Sequence, residues 1–290
     1  GDVYKRQPIN TIAKPAAASG TSLPIALGTD AVVVKWTSAG AVSGYTTIRG
    51  SGTDWGNSVY VDSSGNIYVS GYYVATTAVS INTIALPPAA SGTSLPITQS
   101  NSQDGFVIKW NSGGSVVSYS TIRGTGADNI QSVWADSAQN VYVTGAYTSA
   151  LTINTMSLTP VASAYSLPAP SGTQDSYLIK WDSSGAVSAY TYFGGTAADS
   201  GRSVTTDSAG NIYTTGYMNS TTSVAIRTLN LAPAATGYSL PINASDDIYI
   251  IKWNSSGTLI SFTVLEGSGS DYTNRIVVDS LQNLYFTGNY

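Results

Sequence analysis

The chain has 290 residues, of which 42% are hydrophobic and only 10% charged, with a net charge of −4, no Cys, no His and two Met. This composition excludes disulfide, thiolate and imidazole chemistry, and the acidic balance argues against a nucleic-acid partner, whose phosphates call for clustered Lys and Arg. Twenty Tyr and six Trp argue against disorder, and no apolar run approaches the roughly 20 residues of a membrane-spanning helix.

The chain opens on Gly1–Gln7, which carries three charges in seven residues and lacks the apolar core of a signal peptide. It fits the rest of the chain poorly, and reads either as non-native sequence or as a divergent strand. Beyond it a fixed period governs the whole chain. Lys-Trp recurs at Trp36, Trp110, Trp181 and Trp253, and an Asp stands six residues before each Trp, at Asp30, Asp104, Asp175 and Asp247. Ser-Leu-Pro recurs with Leu23, Leu95, Leu167 and Leu240, and a Gly-[Ser/Thr]-x-x-Asp loop recurs with Asp54, Asp128, Asp199 and Asp271. These landmarks define one domain, 1–290, of four repeats at approximately 8–80, 81–152, 153–225 and 226–290, the last supplemented by the N-terminal strand.

Each copy reads as four strands. Asp30–Trp36 is rich in β-branched residues. The tight turn Thr37–Ala41 leads to a second strand, Val42–Arg49, and the Gly50–Asn57 loop leads to a third, Ser58–Val61. Asp62-Ser63-Ser64-Gly65-Asn66 is a hairpin signal before the fourth strand, Ile67–Tyr73. Val74–Ser102 then forms a long connector to the next copy. Structureless connectors of that length are uncommon. Their recurrence suits either lateral contacts or an extra hairpin over the blade edge.

Alternation in the Lys-Trp strand places Phe106, Ile108 and Trp110 on one face, and Gly105, Val107 and Lys109 on the other. Both faces are largely apolar, so the strand is covered on both sides. A small antiparallel sheet covered on both faces is a propeller blade between neighbours, whereas a sandwich strand leaves one face polar. Solenoid repeats are usually shorter. The fold class expected is therefore all-β. It is a β-propeller of four four-stranded antiparallel blades, about 72 residues per repeat, closed by strands from both chain ends or part of a tandem propeller array.

Asp104-Gly105-Phe106-Val107-Ile108-Lys109-Trp110 and Asp207-Ser208-Ala209-Gly210-Asn211-Ile212-Tyr213-Thr214-Thr215-Gly216 resemble the seven-bladed β-propeller repeat family of bacterial and archaeal extracellular proteins. Here the repeats number four and the Ser-Leu-Pro connector is longer. The resemblance implies that the strand before the Asp-Ser-x-Gly-Asn turn lies nearest the axis. It implies no activity and no catalytic residues.

The Gly-loop residues Asp54, Asp128, Asp199 and Asp271 are the candidate calcium ligands, since Ca²⁺ takes carboxylate and carbonyl oxygens. The absence of a carboxylate-dense loop favours the simpler role of fixing a turn through backbone N–H groups. Asp62, Asp136, Asp207 and Asp279 open hairpins. Every one of these Asp residues recurs, whereas a catalytic residue should break the symmetry. Glu266, the only Glu, does break it, standing where copies one and two have Arg49 and Arg123, but it has no evident partner. The repeated Trp residues suit the core better than a sugar-stacking ladder, and the unrepeated Trp55, read as a loop residue, is the better exposed aromatic. Asn219-Ser220-Thr221, Asn243-Ala244-Ser245 and Asn254-Ser255-Ser256 are glycosylation sequons.

The functional expectation is a non-catalytic structural protein, the repeat unit of an extracellular filament or surface assembly. It would self-associate into a linear array, with no cofactor, no metal, no nucleic acid and no membrane span. A carbohydrate-binding or adhesive propeller with a glycan partner is the alternative, and a carboxylate-pair glycoside hydrolase comes third.

Overall fold

A computed structural model describes residues 7–10, 12, 18–23, 28–98, 102–220, 222–241 and 245–290, and all regular structure among them is β. In chain order, β1 (Gln7–Asn10) and β2 (Ala18–Leu23) form a hairpin, and β3 (Ala31–Trp36) and β4 (Val42–Ile48) form a second. β5 (Trp55–Val61) and β6 (Ile67–Tyr73) follow, then β7 (Val79–Asn82) and β8 (Ala90–Leu95), then β9 (Asp104–Trp110) and β10 (Val116–Ile122). The same six-strand unit recurs as β11 (Asn129–Ala135), β12 (Val141–Tyr147), β13 (Leu151–Asn154), β14 (Ala162–Leu167), β15 (Asp175–Trp181) and β16 (Val187–Phe193). It recurs again as β17 (Asp199–Thr206), β18 (Ile212–Asn219), β19 (Val224–Arg227), β20 (Ala235–Leu240), β21 (Asp246–Trp253) and β22 (Leu259–Leu265). β23 (Tyr272–Val278) and β24 (Leu284–Asn289) complete the chain.

Three complete antiparallel blades result, in the orders β5-β6-β9-β10, β11-β12-β15-β16 and β17-β18-β21-β22. Each blade joins the inner pair of one sequence repeat to the outer pair of the next, so the blades straddle the repeat boundaries at 80, 152 and 225. The fourth blade, expected to be closed by strands from both chain ends or to belong to a tandem array, is represented by β3–β4 and β23–β24, which stand as separate two-stranded sheets. Three of the four Lys-Trp strands, β9, β15 and β21, are covered on both faces as their alternation predicts, β9 being buried along its whole length, whereas β3 is largely uncovered. Trp110, Trp181 and Trp253 are fully buried, and each indole N–H donates to a connector carbonyl: Asn82 at 2.8 Å, Asn154 at 2.8 Å and Arg227 at 2.9 Å. Trp36, in the unpaired half-blade, is only half-buried.

Two element boundaries differ from the sequence reading. The inner strand begins earlier, at Trp55 rather than Ser58, because a bulge between Gly56 and Ser58 extends the pairing back to Trp55↔Tyr72. The same bulge recurs in the other three inner strands, and it brings the inner backbone against the glycine of the next strand. A Cβ on Gly71, Gly145, Gly216 or Gly288 would collide with the carbonyl of Trp55, Asn129, Ser200 or Tyr272. The connectors also fold: β7–β8, β13–β14 and β19–β20 are hairpins, and their Ser-Leu-Pro leucines Leu95, Leu167 and Leu240 are buried. Each hairpin packs on the outermost strand of the preceding blade or half-blade, through the bridges Tyr45↔Ala85, Tyr119↔Ser157 and Tyr190↔Asn230. That edge would otherwise leave its N–H and C=O groups open to strand addition. Within Gly1–Gln7, Gln7 opens β1 opposite Leu23, and residues 1–6 lie outside the described residues.

Candidate functional site

The recurring carboxylates are each committed to a local network. The Asp54 carboxylate accepts the Gly50 amide and, at 2.9 Å, that of Val74. Asp128 accepts those of Gly124 at 2.5 Å and Thr148 at 3.0 Å, and Asp199 those of Gly195 at 2.6 Å and Asn219 at 2.9 Å. Each thereby ties the Gly loop to the end of the fourth strand. Burial pushes all three carboxyls up, those of Asp128 and Asp199 to about 7, against the backbone donors that favour the charged form. Asp271 is buried in the corresponding place, with Oδ2 unpaired. The four lie in different copies, and among the described residues no three acidic side chains cluster as metal ligands would.

The hairpin carboxylates cap their own turns. Asp62 Oδ1 accepts the amides of Ser64 and Asn66, both at 2.9 Å, and Oδ2 accepts the Asn66 side chain at 2.8 Å and the Tyr68 hydroxyl at 3.0 Å. The set repeats at Asp136, Asp207 and Asp279, with Tyr142, Tyr213 and Tyr285 as hydroxyl donors. At Asp62 and Asp207 burial raises the carboxyl, but these donors outweigh it and the net shift is downward. The Lys of Lys-Trp lies over the same tyrosine, Lys109 at 5.2 Å from the Tyr68 ring centroid, Lys180 at 5.3 Å from Tyr142 and Lys252 at 4.9 Å from Tyr213. This Asp–Tyr–Lys stack escaped the sequence reading, although a Tyr six residues after each hairpin Asp signals it.

The strand-start residues Asp30 and Asp104 pair with Arg49 and Arg123 at 3.0 and 3.1 Å. Copy three has Gly194 where those arginines stand, and its Asp175 accepts the Ser171 amide at 2.9 Å. Asp247 is fully buried. Trp55 lies in β5 rather than in a loop, half-exposed and stacked on Tyr72 at 6.4 Å. Among the sequons, Asn254 takes the turn amides of Ser256 and Thr258 on its own side-chain oxygen, and Thr221, Asn243 and Ala244 lie outside the described residues.

A second group of side chains converges at the axis. β5, β11, β17 and β23 are the inner edges of their sheets and together line a cavity of about 220 Å³. The strand before the Asp-Ser-x-Gly-Asn turn is therefore the innermost, as the family resemblance implies. Serine hydroxyls link neighbouring inner strands, Ser132 accepting the Val204 amide at 3.4 Å and Ser203 that of Ile276 at 3.2 Å. Trp134 donates its indole N–H to Thr206 at 2.9 Å, and Tyr60 lies against Trp134 with ring centroids 4.2 Å apart.

Blades with a shared axial cavity define a β-propeller repeat protein. Comparison with known proteins agrees. The model of the beta-propeller repeat matches residues 42–72 and 190–221, each running from the outermost strand of one sheet through the inner pair of the next. An uncharacterized WD repeat-containing protein of Acanthamoeba polyphaga mimivirus is 27% identical over 225 residues, covering 74% of this chain. The match takes in 16% of that relative's length.

Proposed function

We propose that the chain is a non-catalytic structural module, the repeat unit of an extracellular filament or surface assembly built from β-propellers. The observation that carries this reading is the commitment of most of the repeated carboxylates, Asp54, Asp128 and Asp199 to backbone amides, Asp62, Asp136, Asp207 and Asp279 to turn amides and a tyrosine, and Asp30 and Asp104 to arginines, inside the fold. Its repeated chemistry is spent on making blades. Two features support self-association. Leu86, Leu158 and Leu231 recur at the hairpin tips as exposed apolar side chains on the outer rim. The low charge leaves little repulsion between copies.

Sedimentation velocity and electron microscopy over a concentration series test this. Rods or rows with a repeat the size of one propeller are expected, and Leu86→Asp combined with Leu158→Asp and Leu231→Asp should shorten or abolish them. A chain that stays monomeric at every concentration would overturn the assembly reading.

A further inference from the structure

The axial cavity is asymmetric where the blade networks repeat. Two of its ring positions carry Asn57, Gln131, Arg202 and Asn274, and Ser58, Ser132, Ser203 and Arg275, in the four copies. Two arginines and three amides thus line one small space, Asn274 and Arg275 being exposed, with no acidic side chain among its lining residues, in a chain of net charge −4. Among the described residues neither Arg202 nor Arg275 has a carboxylate partner. The Arg202 guanidinium lies over the Tyr217 ring at 5.0 Å, and its Nε is buried without an acceptor. A buried donor left unpaired is costly, and an oxygen ligand removes that cost. Tyr60 and Trp134 add aromatic surface to the same lining.

We infer that the axial cavity binds a sugar acid, a hexuronate presented by an acidic glycan. Arg202 and Arg275 take its carboxylate, the geometry guanidinium groups match best. Asn57 and Gln131, whose amide nitrogens already donate one bond each to the Ile130 carbonyl at 2.9 Å and to Asn129 Oδ1 at 3.1 Å, keep a second N–H and their oxygens for the ring hydroxyls, Asn274 supplies a further amide, and the Tyr60–Trp134 pair offers an apolar face to the sugar ring. The amides and aromatics favour a sugar over a peptide carboxylate, which would need neither. The inference stands apart from the assembly reading, since a module that polymerises can still carry an axial site in each copy.

The test is titration of the 290-residue chain with glucuronate and galacturonate, using glucose, galactose, acetate and a Glu-containing peptide as comparisons, read by calorimetry and saturation-transfer NMR. Uronate should bind at least tenfold tighter than the neutral hexoses and than acetate. Arg202→Gln and Arg275→Gln should each weaken it about tenfold or more, the usual consequence of losing one charge-assisted bond. Trp55→Ala, outside the cavity, should leave binding unchanged. Melting curves of each variant separate lost binding from lost folding, and Asn57→Ala offers a second, uncharged lesion. Failure of uronate to bind at millimolar concentration would overturn the inference. So would equal affinity for neutral hexose, acetate or peptide, or unchanged affinity in a folded Arg202→Gln chain.

Discussion

Trp110 is the position where stability should be most sensitive to a single side chain. It is fully buried in a cluster with Val79, Ile81, Ile84, Ile108 and Tyr119, and its indole holds the β7–β8 hairpin through the Asn82 carbonyl. Trp110→Ala removes a large core side chain, which costs about 3–5 kcal/mol in transfer and cavity terms. It also leaves that carbonyl without its donor, for about 1 kcal/mol more. In a domain of this size such a loss lowers Tm by on the order of 10 °C. Trp110→Phe keeps most of the volume and should cost a fraction of that. Trp36→Ala, in the half-buried copy, should fall between. Thermal and denaturant unfolding followed by circular dichroism and tryptophan fluorescence provide the readout. A Trp110→Ala shift no larger than that of exposed Ser137→Ala would show that the indole does not clamp the hairpin and that the blade core lies elsewhere.

Acid should stabilise the protein in the neutral range. Asp128 and Asp199 bind their protons more tightly folded than unfolded, so their contribution is complete below the ordinary carboxylate range and is lost as pH rises through about 7. Tm should therefore fall between pH 5 and 8, and Asp128→Asn should flatten the profile, by about 1–2 kcal/mol per group; a profile rising over that range would refute the cause. The downward-shifted Asp62 and Asp207 act oppositely, and their contribution is lost only in stronger acid. Gln282 holds the left-handed turn position, φ 67°, that Gly65 and Gly210 fill in copies one and three. Gln282→Gly should gain about 0.5–1 kcal/mol by relieving that strain, and a lower Tm would count against it. Because the Asp54, Asp128 and Asp199 carboxylates already accept two backbone donors each, EDTA should leave Tm unchanged. A sharp drop would make them metal ligands.

The blade was legible in the sequence because its landmarks are repeated and local. A buried strand such as Asp104–Trp110 announces itself by apolar residues on both faces, and the Asp62–Asn66 turn by Asp, Gly and Asn at fixed offsets. The hairpins were not legible as strands. Val79–Asn82 has only four residues, too few for alternation to register, and its partner Ala90–Leu95 reads as loop composition. The axial site was hidden for the opposite reason. The sequence reading sought asymmetry in rare residues, Glu266 and Trp55. At the axis asymmetry takes the form of ordinary residues diverging at one aligned position, as Ser58, Ser132 and Ser203 do from Arg275. Only the fold places those positions around one space.

The two half-blades show why such repeats favour company. Val59 is 56% exposed, whereas its counterparts Val133 and Val204 are 3% and 2% exposed, because each of those meets a preceding blade. At the other end Tyr285 and Phe286 are exposed where Tyr68, Tyr142 and Val143 are buried. The same residue types at the same strand positions change from core to surface solely by the presence of a neighbour. A blade face is thus half of an interface written into every repeat. Any stretch of these repeats that ends in half-blades exposes two such faces, one at each side of the arc. Apolar area removed from water contributes roughly 25 cal/mol per Å², and a half-sheet's open edge adds unpaired backbone groups that a complementary strand pair would satisfy. The covering that fits both the face and the edge is a neighbouring blade, as at Val133 and Val204. Burial of such a face by a neighbouring blade is therefore a physical consequence of the repeat, seen three times within the chain.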